Sequence, residues 1–140
     1  MDHGNKKIII WANIILVMMI VVHDADHFRQ AICWNYPIPW SVKLINILVY
    51  VPSVVALHFA RKEKKAAIPM TQINGLFIAA AFAKIHLFGA SLLPYWGIWN
   101  KSFFVLGADT LSWIILAMTV ATGVGVAIIA RVVRHRLSVA

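Results

Sequence analysis

The sequence predicts an all-α integral membrane protein: one domain, a bundle of four transmembrane helices with both termini cytoplasmic. Three observations carry this. The 140 residues are 61% hydrophobic and 13% charged, with a mean hydropathy of +0.80, which leaves too little polar surface to cover a soluble globule of this size. The charges are clustered, and between the clusters lie four apolar stretches at about residues 8–30, 41–60, 71–93 and 103–130. Each approaches the length of about 20 helical residues that crosses a hydrocarbon core about 30 Å thick. Finally, Lys and Arg fall unequally on the two sides of these stretches. Nine lie on one side (Lys6, Lys7, Arg61, Lys62, Lys64, Lys65, Arg131, Arg134, Arg136) and three on the other (Arg29, Lys43, Lys101), with Lys84 between. The basic side is the cytoplasmic one.

The first helix follows Lys6 and Lys7. Its run over 8–22 has the look of a signal-peptide core, yet His23-Asp24-Ala25-Asp26-His27 follows in place of a small-x-small cleavage site, so it reads as a retained signal anchor. Pro37 and Pro39 prevent helix in the 31–40 connection, where Trp34, Tyr36 and Trp40 are rings suited to the headgroup level. Pro52 bends the second helix, which ends in a basic loop closed by Pro69. The third helix carries Gly75, Ala79 and Ala83 at four-residue spacing, a small-residue stripe that admits a neighbouring helix closely. Pro94 stops it, and Tyr95, Trp96 and Trp99 supply further aromatic anchors. The fourth helix has a stripe of its own at Ala117, Ala121 and Gly125.

Chemistry concentrates at His23, Asp24, Asp26 and His27. On a helix, His23 and His27 stand one turn apart on one face, with an aspartate flanking them on either side. Measured from the expected helix ends, His86 lies eight residues inside Pro94, Asp109 six inside Phe103 and His23 five inside Phe28. At about 1.5 Å per residue this puts each roughly 8 to 12 Å deep, and Asn46 reaches a similar level. An aspartate in the membrane is costly unless paired, so Asp109 is expected to face the interior beside His23, His27 and His86. His86 and Lys84 are two residues apart and so point to nearly opposite sides of their helix, which leaves His86 facing inward and Lys84 elsewhere. Asn13 and Asn74 are expected to donate interhelical hydrogen bonds.

The functional reading is a transition-metal site for Cu, Zn or Fe. His23, His27 and His86 are its ligands, and Asp109, Asp24 and Asp26 are oxygen ligands or orienters of the imidazoles, in a metal-handling or redox context. A second reading is an accessory subunit of a larger membrane complex, such as a metallo-oxygenase or respiratory assembly, in which the same layer serves packing. Small size, the two stripes and Lys84 favour it. A third is b-type haem held by two of the histidines. The expected partners are the lipid bilayer and other membrane subunits or further copies of the chain. Nucleic acid is excluded, because the basic residues are juxtamembrane and form no soluble aromatic-interleaved surface. His58, His3 and His135 lack companions at the site's depth, and the lone Cys33 excludes an internal disulfide. As chemistry, His and Asp ligands on transmembrane helices are similar to those of membrane-embedded copper monooxygenases. The multiple histidine boxes of membrane di-iron hydroxylases are absent, since His23-x-x-x-His27 is the one pair, and the residues assign no family.

Overall fold

A computed structural model describes residues 3–90 and 94–139. All regular structure among the described residues is helical: α1 His3–Cys33, α2 Trp40–Leu48, α3 Val51–Arg61, α4 Ala67–Phe88, a 3-10 segment Pro94–Asn100, α5 Phe103–Leu106 and α6 Thr110–Val139. Four rods are long and apolar enough to cross a membrane, namely α1, α2 with α3, α4 and α6. They alternate in direction. Ile9 of α1, Ala60 of α3, Ala67 of α4 and Val133 of α6 pack together at one end, and Ile38, Val42, Ala90 and Trp99 pack at the other. The ends of α1 and α6 that carry the chain termini therefore share one end, which we call the terminal end; the opposite one is the loop end.

Local chemistry explains the boundaries. Where one bent helix is expected over 41–60, the rod breaks at Val49 and Tyr50, just ahead of Pro52 in the first turn of α3. Proline lacks an N–H, and its ring collides with the carbonyl four residues earlier, so the interruption falls upstream of the proline itself. The third rod starts earlier than expected and takes Pro69 into its first turn, where a missing N–H costs nothing. It stops at Gly89, whose φ of 83° only glycine adopts freely; residues 91–93 of the expected span lie outside the described residues. The fourth rod starts seven residues later than expected. Gly107, left-handed at φ 61°, closes the short α5, and the Asp109 side chain then accepts the Ser112 N–H at 3.0 Å, capping α6.

The tightest helix pair is α4 with α6. A Cβ added to Gly75 would lie 2.6 Å from the Gly123 carbonyl oxygen and 2.9 Å from the Ala127 nitrogen, and one added to Gly123 would lie 2.7 Å from the Gly75 oxygen. The α4 stripe is thus used at Gly75 and Ala79. The α6 stripe expected at Ala117, Ala121 and Gly125 is not: Ala117 and Ala121 are exposed, and nothing lies within 4 Å of a Cβ on Gly125. The surface that meets α4 is two residues away along the chain, at Gly123 and Ala127, which places it on nearly the opposite side of the helix.

Two polar pairs tie the rods together, as expected for Asn13 and Asn74: Asn13 Nδ2 donates to Thr71 Oγ1 at 2.7 Å, and Asn74 Nδ2 to Ser53 Oγ at 2.7 Å. Above them, toward the loop end, comes an apolar layer. Leu16, Ile20, Ile78 and Phe82 fill it, and all four are buried. The histidines lie on the far side of this layer. Outward-facing residues such as Ile15, Met18, Phe77, Ile114 and Met118 are more than half exposed. A bundle that buries Asn13, Thr71 and Ser53 while exposing these has the polarity of a chain solvated by hydrocarbon.

Candidate metal centre

Because α1 runs unbroken through the cluster, His23 and His27 project from successive turns of one face into the bundle, and both are buried. α4 brings His86, also buried, to meet them. The Nε2 atoms of His23 and His86 are 3.2 Å apart, as are those of His27 and His86. One ligand atom from each of the three rings fits within a 4.8 Å span. Carbon surrounds the outside of the trio: Phe82 stands edge-on to His23 at 4.5 Å between centroids, Phe103 to His86 at 4.6 Å and Trp99 to His27 at 5.6 Å.

The other ring nitrogens are occupied. His86 Nδ1 lies 2.8 Å from the Phe82 carbonyl oxygen. A carbonyl only accepts, so this nitrogen carries the proton and Nε2 presents a lone pair. His23 Nδ1 lies 3.2 Å from Thr119 Oγ1, and the Thr119 hydroxyl already donates its hydrogen to Ile115 O at 2.7 Å. Thr119 therefore accepts from His23, and the Nε2 of His23 also presents a lone pair. Two lone pairs thus meet at 3.2 Å in the buried interior. The Nδ1 of His27 faces Asn46 Nδ2 at 3.3 Å and Asp24 Oδ1 at 4.0 Å. As oriented, the Asn46 amide donates to His27, whose Nε2–H can then satisfy the His86 lone pair but leaves that of His23 bare. With the amide turned over, all three Nε2 atoms are acceptors. Either way the cluster has more lone pairs than hydrogens, a deficit that a cation bound between the rings would remove.

The carboxylates are elsewhere. Asp109 is exposed at the start of α6 rather than beside the imidazoles. It pairs with Arg29, whose Nη1 and Nη2 donate to it at 2.6 and 2.8 Å. Arg29, together with the Ser112 N–H, holds the Asp109 carboxyl well below its ordinary range. Asp26 is buried but accepts from Arg29 Nε at 2.7 Å and from Gln30 Nε2 at 2.7 Å. Asp24 accepts from the Tyr50 hydroxyl at 2.6 Å, and its Oδ1 lies 4.0 Å from His27 Nδ1. The structure therefore brings together His23, His27 and His86, leaves Asp24 behind His27, and ties Asp26 and Asp109 to Arg29.

His86 faces inward as expected, and Lys84 bends toward the loop end to donate to Gly89 O at 2.9 Å. His3, His58 and His135 stand apart from the trio. Cys33 is exposed near Arg29 and Asp109. Trp99, expected as an interfacial anchor, is instead 8% exposed and donates its indole N–H to Pro37 O at 3.2 Å; the side chains of Tyr95 and Trp96 lie outside the described residues. The residues that sequence reasoning missed are Thr119, Gln30, Tyr50 and Ser112. Thr119 carried a signal, since Ser112, Thr119, Gly123 and Ala127 fall on one helical face at spacings of seven, four and four.

No protein-family profile matches the chain, and neither a curated protein nor a solved structure shows significant similarity to it.

Proposed function

We propose that this chain is a four-helix membrane protein that binds one transition-metal ion through Nε2 of His23, His27 and His86, in a metal-handling or redox role. The observation that carries the reading is the surplus of imidazole lone pairs converging among three buried histidines. Metal–imidazole bonds of about 2.0–2.1 Å in a tetrahedral arrangement separate the nitrogens by about 3.4 Å, close to the 3.2 Å from His86 Nε2 to those of His23 and His27. Backbone and side-chain groups behind the rings fix tautomer and orientation, as they do at metal sites generally: a carbonyl for His86, a hydroxyl for His23, Asn46 and Asp24 for His27. Three neutral nitrogen ligands suit Zn, Cu or Fe and leave a coordination position open. A b-type haem has less support, because its two axial nitrogens lie on opposite sides of a macrocycle, whereas these rings meet tip to tip.

Protein purified without chelators should carry close to one Cu, Zn or Fe per chain by elemental mass spectrometry. Metal at background would sink the proposal and favour the packing role of an accessory subunit.

The orientation we propose follows from the nine-to-three Lys and Arg asymmetry: the terminal end is cytoplasmic. Reporter fusions after Lys65 and at the C-terminus should both read cytoplasmic. An outside signal from either would overturn the topology.

A further inference from the structure

A cavity of about 150 Å³ lies against the trio. The rings that touch the three imidazoles are also walls of this space: Phe82, edge-on to His23, Trp99, edge-on to His27, and Phe103, edge-on to His86. His27 and His86 themselves line it. His23 does not, and has Thr119 of α6 behind it. The cluster is therefore closed on the α6 side and borders the cavity on the other. Ile45 of α2 and Phe77 of α4 line the space and are also 39% and 55% exposed, so its flank adjoins the apolar surroundings of the bundle.

The remaining polar members of the wall are committed or lie at its margin. The Asn46 amide faces His27 Nδ1 at 3.3 Å. Gln30 gives its amide nitrogen to Asp26 and Ser112, and its oxygen is sealed from the cavity. Lys101 is exposed. No aspartate or glutamate is among the described residues of the wall, so nothing in it attracts a cation. An ion held by three imidazoles keeps a fourth position for an outside ligand. An apolar space of about 150 Å³ takes a molecule of about benzene's size.

We propose that the metal's fourth position opens into this cavity and accepts a small, uncharged, lipid-soluble molecule that carries one lone-pair donor atom on an apolar body. The donor atom binds the metal, and the body lies among the apolar side chains of α2 and α4. The proposal rests on the metal reading and adds to it the class of ligand that the site takes.

The test uses the full chain in lipid nanodiscs, loaded with cobalt(II), whose visible absorption reports its coordination, and titrated with pyridine and benzene. The two probes share one shape, and only pyridine has a lone pair. Pyridine should shift the cobalt bands and saturate at one per metal. Benzene should leave the bands unchanged yet compete, raising the amount of pyridine needed. Ala81→Phe and Ile45→Trp, which add bulk to the cavity from α4 and α2, should keep the cobalt and need about tenfold more pyridine for the same shift. Cobalt bands that pyridine does not move would overturn this proposal and leave the metal reading standing. A pyridine response indifferent to benzene, or unaltered in variants that retain cobalt, would place the open position away from the cavity and overturn it as well. A chain that binds no cobalt sinks the metal reading, and this proposal falls with it.

Discussion

His86→Ala is expected to remove the metal altogether. His86 is the common member of the trio, with its Nε2 3.2 Å from both of the others, and the two that remain sit on one helix, with Asp24 on the Nδ1 side of His27 rather than at the Nε2 atoms. Losing an orienting partner alone costs metal sites about 10–100-fold in affinity, and loss of the central ligand should exceed that. Elemental analysis should fall from about one metal per chain to background while circular dichroism shows unchanged helix content. Thr119→Val, which removes only the acceptor behind His23, should weaken binding within the range of about 10–100-fold. Asp109→Asn, which alters the arginine network but no imidazole, should leave metal content unchanged. Full occupancy in His86→Ala would place any metal outside the trio.

Gly75→Leu should be the most damaging substitution for the fold. Its side chain would enter space that the Gly123 oxygen and the Ala127 nitrogen already occupy, and both are backbone atoms that no rotamer change can move. α4 and α6 must then part, at a cost of about 3 kcal/mol or more, the upper range for overpacked cores. The same displacement separates His86 from Thr119 and His23. Gly123→Leu should behave alike by reciprocity. Gly125→Leu, at a position with nothing within 4 Å, should stay within about 0.5 kcal/mol. Equal loss of thermal stability in Gly75→Leu and Gly125→Leu would mean that the close approach does not hold the bundle.

Four helices were legible in the sequence because hydropathy and charge clustering are averages over some twenty residues and tolerate local error. Most of the site was legible for a related reason. His23 and His27 share a helix, so their relation follows from spacing alone, and the inward face of His86 follows from the exclusion of Lys84. Asp109 lies outside the imidazole layer because the helix that begins at Phe103 ends at Gly107 and a new one starts at Thr110, so depth along the last rod does not run from Phe103. The clue was a local one, a glycine followed two residues later by an aspartate suited to capping, and an averaged hydropathy passes over it. The α6 stripe was misread because two small-residue series run along nearly opposite sides of that helix, and only the position of α4 chooses between them. Nothing in the spacing could reveal Gln30 and Tyr50 as partners of the aspartates, since those bonds depend on how the rods lie against one another.

The layer of Leu16, Ile20, Ile78 and Phe82 beneath the imidazoles has an electrical consequence. It separates His23 from the Asn13–Thr71 pair, ten residues along α1 or about 15 Å. In a polarised bilayer such a layer behaves as the insulator of a capacitor, so most of the membrane voltage falls across it. A charge crossing the whole membrane exchanges about 2.3 kcal/mol per 100 mV. An ion that arrives at the histidines from the loop end and leaves the same way crosses only a minor share of that drop. Its occupancy should therefore follow the ion's concentration at the loop face and remain nearly indifferent to the membrane potential.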